Sequence, residues 1–227
     1  MGRVQRKVST MWCNDLAYAI GLITADGCLN KDRRHIWFSS KDLQLIETFK
    51  KSLHLSNKIG KYARGGETEK RYYCITFGDI YIYRFLNDID LTPAKSKTIK
   101  RVKVPRLYFP DFLRGLFDGD GTFYTFRDKR WPSSFSFKLS IASASLDFLT
   151  WLKNKLTQYY SVMGYLHKGS GVWNLEYVKG DTKKLFSTMY YPSHRLRLNR
   201  KYRKIKDAIE QDKYLGLPYL QKPRRPE

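Results

Sequence analysis

The sequence predicts an α+β fold of two pseudo-symmetric αββαββα halves, in which a pair of antiparallel sheets flanks two central packed helices. Three observations carry this. Residues 19–27 (AIGLITADG) and 113–121 (LRGLFDGDG) repeat one order of residues, with the aspartates Asp26 and Asp120 at an offset of 94. Residues 143–156 (SASLDFLTWLKNKL) then match 40–53 (SKDLQLIETFKKSL) at an offset of 103, so the likeness continues past a nine-residue insertion. Between these helical stretches lie runs that alternate apolar and polar residues, the period of half-buried strands.

In chain order, residues 1–10 carry Arg3, Arg6 and Lys7 without apolar periodicity and read as a flexible basic arm. The first half spans 11–91. Its first helix covers 12–26, with Asn14 or Asp15 as N-cap and Gly27, like Gly121 in the second copy, suited to the left-handed position past a helix end. Residues 28–40 read as two short strands around the cluster Lys31, Asp32, Arg33 and Arg34, with Ile36 and Phe38 facing the core. Apolar residues at 43, 45, 46, 49 and 53 mark an amphipathic helix over 41–55, which covers the back of the sheet. Residues 58–64 and 71–77 form a hairpin around Gly65 and Gly66, and 80–89 a short helix. Residues 92–109, basic and punctuated by proline, link the halves.

The second half spans 110–215 in the same order, with strands at 122–126 and 134–141 around a charged turn holding Asp128, Lys129 and Arg130. Phe135, Phe137, Leu139 and Ile141 alternate with Ser136, Lys138 and Ser140, which leaves the second set on a polar face with Asn174 and Glu176. A hairpin over 162–167 and 172–178 follows, then Gly180 and Asp181, matching Gly78 and Asp79. A very basic stretch at 195–211 leads into a helix, and 216–227 is a tail whose residues 222–226 read as disordered.

Charge narrows the function. The chain carries 43 Lys and Arg against 21 Asp and Glu, a net charge of +22, which implies a polyanionic partner. No apolar run approaches the roughly 20 residues of a membrane span and no signal peptide is read before the first helix, so nucleic acid is preferred to a membrane surface. Three cysteines without paired spacing suggest neither a disulfide framework nor a zinc site and suit a reducing, intracellular compartment. No Walker loop, dinucleotide fingerprint or zinc-protease histidine pair appears.

The repeated stretch has its own chemistry. Gly21 and Gly115 allow two helices to approach closely. Packed in parallel, those helices bring Asp26 and Asp120 together at one end, where helix dipoles and mutual repulsion both oppose the charges. Divalent cations relieve that conflict, and Mg²⁺ takes one or two carboxylates while leaving positions for water and phosphate.

Both stretches resemble the signature of LAGLIDADG homing endonucleases, and their number resembles the monomeric, pseudo-symmetric members of that family. Thr24 departs from the signature where the second copy keeps Asp118; the acid used for metal stands in both copies, as Asp26 and Asp120. The resemblance implies a monomer that cleaves both strands of a long, asymmetric duplex DNA, with two or more Mg²⁺ or similar ions shared near Asp26 and Asp120. It also implies a basic residue after the last helix of each half: Lys95 rather than Lys97, and Lys201 rather than Arg200. Ser40 and Ser143 match positions where the family often orders water. No intein splice signals are read, which points to a freestanding, intron-encoded type. The family implies two alternatives, an intron RNA maturase and a non-cleaving DNA-binding regulator.

Strand ribbons fit the major groove of B-DNA. Candidate readers of bases or phosphates are Asn30, Arg33, Arg34, Lys61, Arg64, Arg71, Tyr124, Arg130, Lys138, Lys168 and Asn174.

Overall fold

The computed structural model describes residues 8–128 and 131–216; the ends of the expected arm and tail, and Arg130, lie outside the described residues. The N-terminal half runs α1 (Asn14–Asp26), β1 (Gly27–Leu29), β2 (His35–Ser40), α2 (Leu43–Ser52), β3 (Gly60–Tyr62), β4 (Tyr72–Gly78) and α3 (Ile80–Asp88). The C-terminal half runs α4 (Phe109–Asp120), β5 (Gly121–Asp128), β6 (Trp131–Ser143), α5 (Leu146–Tyr160), β7 (Tyr165–Lys168), β8 (Trp173–Val178) and α6 (Lys179–Met189). One further helix, α7 (Asn199–Gly216), follows. Each half holds a four-stranded antiparallel sheet, in the orders β1-β2-β4-β3 and β5-β6-β8-β7. The two αββαββα halves are as expected, and α7 is an addition to the second.

The helices α1 and α4 form the centre, and glycine sets their distance. A Cβ on Gly115 would lie 2.1 Å from the carbonyl oxygen of Tyr18, and one on Gly21 would lie 2.2 Å from that of Phe112. Gly119 sits against Ala25 one turn further along, so the pair runs parallel, as predicted from the repeat. Residues 16–24 of α1 are buried almost without interruption, because α4 covers one side and the sheets cover the rest. Segments after each half's last helix cross to the other half: Ser145 Oγ donates to the Ile99 carbonyl, and the Asn199 amide donates to Gln44 Oε1.

Register fixes the sheet faces. Ile36 pairs with Phe77 and Phe38 with Ile75, all buried. In the second sheet, Leu139 pairs with Tyr177 and Ile141 with Leu175, also buried. The alternate residues form the opposite faces.

Four local expectations are corrected. Gly27 and Gly121 are not left-handed; both are extended (φ −81° and −73°), because each helix passes directly into a strand. Glycine is needed there for space, since a Cβ would meet the Ile23 Cα at 2.6 Å or the Phe117 ring at 2.1 Å. The N-cap of α1 is Cys13, whose sulfur accepts the Leu16 amide. The nine-residue insertion lengthens the β5–β6 ribbon, whose pairing shifts register between Arg127 and Asp128. Ser140 is buried rather than exposed, a short side chain between Thr122 and Glu176 on the flanking strands.

Candidate active site and groove

Asp26 and Asp120 are the last residues of α1 and α4 and meet at one end of the parallel pair. A side chain on Gly119 would approach Asp26 Oδ2 to 3.4 Å, which shows how near the first carboxylate stands to the second helix. Asp26 opens to solvent on one side and Asp120 is half-buried. Desolvation by the surrounding protein, joined by the charge of Asp26, pushes the Asp120 carboxyl up to about 7. Asp26 is raised as well, mainly by desolvation, with Lys201, Lys95 and Arg64 opposing the shift.

Two buried lysines complete this end. Lys95, 7% exposed, donates from Nζ to the Gly27 carbonyl at the end of α1. Lys201, 9% exposed, donates to the carbonyls of Phe117, Asp118 and Gly119 at the end of α4. Both offset the partial negative charge of a helix C-terminus and satisfy carbonyls that lack an intrahelical donor. Desolvation lowers both ammonium groups, Lys201 to about 8, while Asp26 and Asp120 act in the opposite direction. The structure therefore brings the four residues Asp26, Asp120, Lys95 and Lys201 together. Arg200 instead pairs with Asp42 at 2.8 Å. Beside Asp120 lies a recess of about 510 Å³ lined by Thr122, Arg200, Lys201 and Lys204.

Ser40 and Ser143 serve the local backbone. Ser40 Oγ accepts the Asp42 amide and Ser143 Oγ the Ser145 amide, each at 3.1 Å, closing the turns before α2 and α5. Both belong by register to the helix-facing side of their sheets.

A buried polar network behind the acids was not anticipated. Asp118 accepts hydrogen bonds from Tyr18 Oη at 2.8 Å, Tyr190 Oη at 3.3 Å and the Leu198 amide at 2.8 Å, which ties the segment before Lys201 to α4. Burial raises its carboxyl, and the Tyr18 and Leu198 donors, with the charges of Lys201 and Arg114, oppose the rise. Thr24, at the equivalent position, only donates back to the Ile20 carbonyl of its own helix. Arg114, 1% exposed, donates to the Leu196 and Met189 carbonyls and to Asp111. Charged residues among the apolar positions of α4, Asp111, Arg114 and Asp118, were the available signal.

The sheet faces turned away from the helices are the surface on which the sequence places a duplex groove. Tyr124, Lys138 and Asn174 stand on that face of the second sheet. Glu176, unforeseen as a site residue, gathers Tyr124 Oη at 2.5 Å, Lys138 Nζ at 3.1 Å and His167 Nε2 at 3.3 Å. Asn30, Arg33 and Arg34 occupy the β1–β2 turn, where Arg33 adopts φ 58° and Asp32 Oδ1 accepts the Arg34 and His35 amides. Arg64 lies over the Tyr72 ring, and Arg71 pairs with Glu69. Lys61 and Lys168 are corrections. They pair with Tyr73 and Trp173 on the helix-facing side, because each stands one residue out of phase with its groove-facing neighbour.

The donor set suits a hard cation. Two carboxylates converge where burial raises the proton affinity of both and the charge of Asp26 raises that of Asp120 further, a conflict that a divalent ion would remove. Among the described residues no group of three or more His, Cys, Asp or Glu forms a protein cage.

Comparison with known proteins gives one family. The model of the LAGLIDADG-like domain matches residues 14–90 and again 111–204. No curated protein matches significantly. Among solved structures, full-length DUF199/WhiA from Thermatoga maritima is 17% identical with a TM-score of 0.57, over 88% of this chain and 62% of that one, so this chain spans less than two thirds of it. The meganuclease I-AabMI bound to uncleaved DNA is 17% identical (TM-score 0.59; 86% of this chain, 89% of that one). The meganuclease I-SmaMI bound to uncleaveable DNA is 14% identical (TM-score 0.58; 87% and 90%). At these identities the structures share the fold alone. The duplicated motif, the two halves built on it and the double match of the family model together establish that the chain belongs to the LAGLIDADG-like domain family.

Proposed function

We propose that this chain is a site-specific, metal-dependent endonuclease that lays a long asymmetric duplex DNA across both sheets and cuts each strand once. The observation that carries this reading is the meeting of Asp26 and Asp120 beside two buried lysines, in a chain of net charge +22. Asp26 and Asp120 would hold Mg²⁺ or a similar ion. Such an ion supplies Lewis-acid stabilisation at the phosphate and an activated water.

The protein's own residues do the rest. Lys95 and Lys201 are fixed on backbone carbonyls, so they offer positive charge to the scissile phosphates without reorganising. Arg200 and Lys204 border the recess beside Asp120 and suit an adjoining phosphate. Because both acids come from one chain, a monomer suffices. The halves have diverged, as in Thr24 against Asp118, so the preferred target is asymmetric.

The test is cleavage of a randomised duplex pool with Mg²⁺, with the cut ends sequenced. A recovered asymmetric motif is expected. Asp26→Asn and Asp120→Asn should each abolish double-strand cleavage by 10²-fold or more, roughly the scale of losing a charge-stabilising group, while retaining duplex binding. Wild-type cutting in both variants would refute the assignment. Selective retention without any cutting would make the chain a DNA-binding regulator on the same scaffold, and preference for folded intron RNA would make it a maturase.

A further inference from the structure

The two groove faces differ in chemistry. In the second sheet that face carries Lys138 and Glu176 in direct contact. In the first sheet, no strand residue on that face is Lys, Arg, Asp or Glu. Its centre is a row of rings instead. Trp37 stands 5.3 Å from Tyr62, and Tyr62 stands 5.4 Å from Tyr72, between centroids. Cys28, Ser39, Cys74 and Thr76 extend the same surface by register, and His35, paired with Asp32, stands at its edge beside the β1–β2 turn.

The row is held in place. Tyr62 Oη donates to Ser39 Oγ at 3.1 Å, which occupies its one donor. Lys41 Nζ lies 5.0 Å and the Arg64 guanidinium 5.8 Å from the centre of the Tyr72 ring, so cations stand at the rim while the middle stays uncharged. A duplex crossing this surface would meet phosphate-binding charge at the edge and an apolar floor beneath its base pairs.

Resting on the duplex-cleaving reading above, we propose that the Trp37–Tyr62–Tyr72 row makes the N-terminal half-site depend on thymine methyl groups, whereas the C-terminal half-site is read by hydrogen bonds. The C5-methyl of thymine is the one apolar group that a base pair presents in the major groove, and apolar side chains contact it there. A charge-free floor has little to offer the hydrogen-bonding edges of guanine and cytosine. It buries methyl groups well.

The test uses the intact protein and the target recovered from the pool. Thymines are replaced by deoxyuridine, which removes only the methyl, in one half-site at a time, and duplex binding is measured. One half-site should lose affinity by about fourfold per replaced contacting thymine, the factor for one buried methyl-sized group, and the other should be unaffected. Trp37→Ser combined with Tyr72→Ser should erase the penalty, and Lys138→Ala should leave it in place. Equal penalties in both halves, no penalty in either, or a penalty that survives in a folded double variant would overturn the inference. The half-site comparison on the wild-type protein decides it even if the double variant does not fold. A duplex motif without any uridine effect would remove this inference alone. No duplex motif, with single-stranded oligonucleotides stacking on the rings instead, would remove the reading beneath it as well.

Discussion

Asp120 must lose a proton before it can hold a cation, and its surroundings oppose that. Desolvation and the neighbouring Asp26 keep the carboxyl protonated up to about pH 7 in the absence of metal. Cation binding displaces that proton, so the apparent affinity for Mg²⁺ should fall by up to about tenfold for each pH unit below 7 and level off above it. Lys201 acts at the other limit. Its ammonium is lowered to about 8, so its charge is lost as pH rises through that value and cleavage at saturating Mg²⁺ should decline on the alkaline side. Metal titrations of cleavage at pH 6, 7 and 8 would test both limbs; a midpoint that does not move between pH 6 and 8 would contradict the assignment of Asp120. At this scale the sequence was informative only where chemistry is local. The acids are legible because they recur in matched surroundings, and Lys95 and Lys201 because they follow equivalent helices. The partners of Asp118 are not, since Tyr18, Tyr190 and Leu198 lie 72 to 100 positions away and meet only through packing.

Among the elements, the parallel pair α1 and α4 controls the distance between the acids, and Gly21 and Gly115 control the pair. On helix propensity alone, Gly→Ala would stabilise either helix by about 0.8–1 kcal/mol. Here the new Cβ meets backbone, at 2.2 Å for Gly21 and 2.1 Å for Gly115, and backbone inside a helix cannot turn aside. Overpacking of this kind costs about 1–3 kcal/mol and more where relaxation is blocked. Gly115→Ala should therefore destabilise the protein by roughly 2 kcal/mol in urea unfolding and lower cleavage with all four charged residues still present. Gly180→Ala is the control: it lies in α6 with nothing within 4 Å of its Cβ position, and should be neutral or slightly stabilising. Periodicity made the helices, the strands and the role of these two glycines legible. It misread Gly27 and Gly121, because a sequence does not distinguish a glycine required for backbone conformation from one required for space. It likewise placed Lys61 and Lys168 in the groove, since short edge strands carry too few residues to fix their phase.

For the whole molecule, net charge overstates what a duplex can feel. Some of the 43 basic groups already have partners within the protein: Arg114 is buried on backbone carbonyls and Asp111, Arg101 and Lys103 share Asp90, and Lys179 and Lys183 share Asp212. A duplex contacts only part of the remainder, so about 6–10 phosphate contacts are expected rather than 22. Counterion release then predicts a slope of log K against log salt between about −5 and −9. Removing a groove cation and removing a ring should have different signatures. Lys138→Ala removes a cation already shared with Glu176, so it should flatten the slope by less than the full unit expected of a free phosphate contact. Tyr72→Ser should weaken binding at every salt concentration and leave the slope unchanged, because a methyl contact releases no counterion. Binding isotherms from 50 to 300 mM salt for the wild type and these two variants separate the cases. A slope that flattens with Tyr72→Ser would mean that the ring acts by holding Lys41 and Arg64 against phosphate rather than by touching bases.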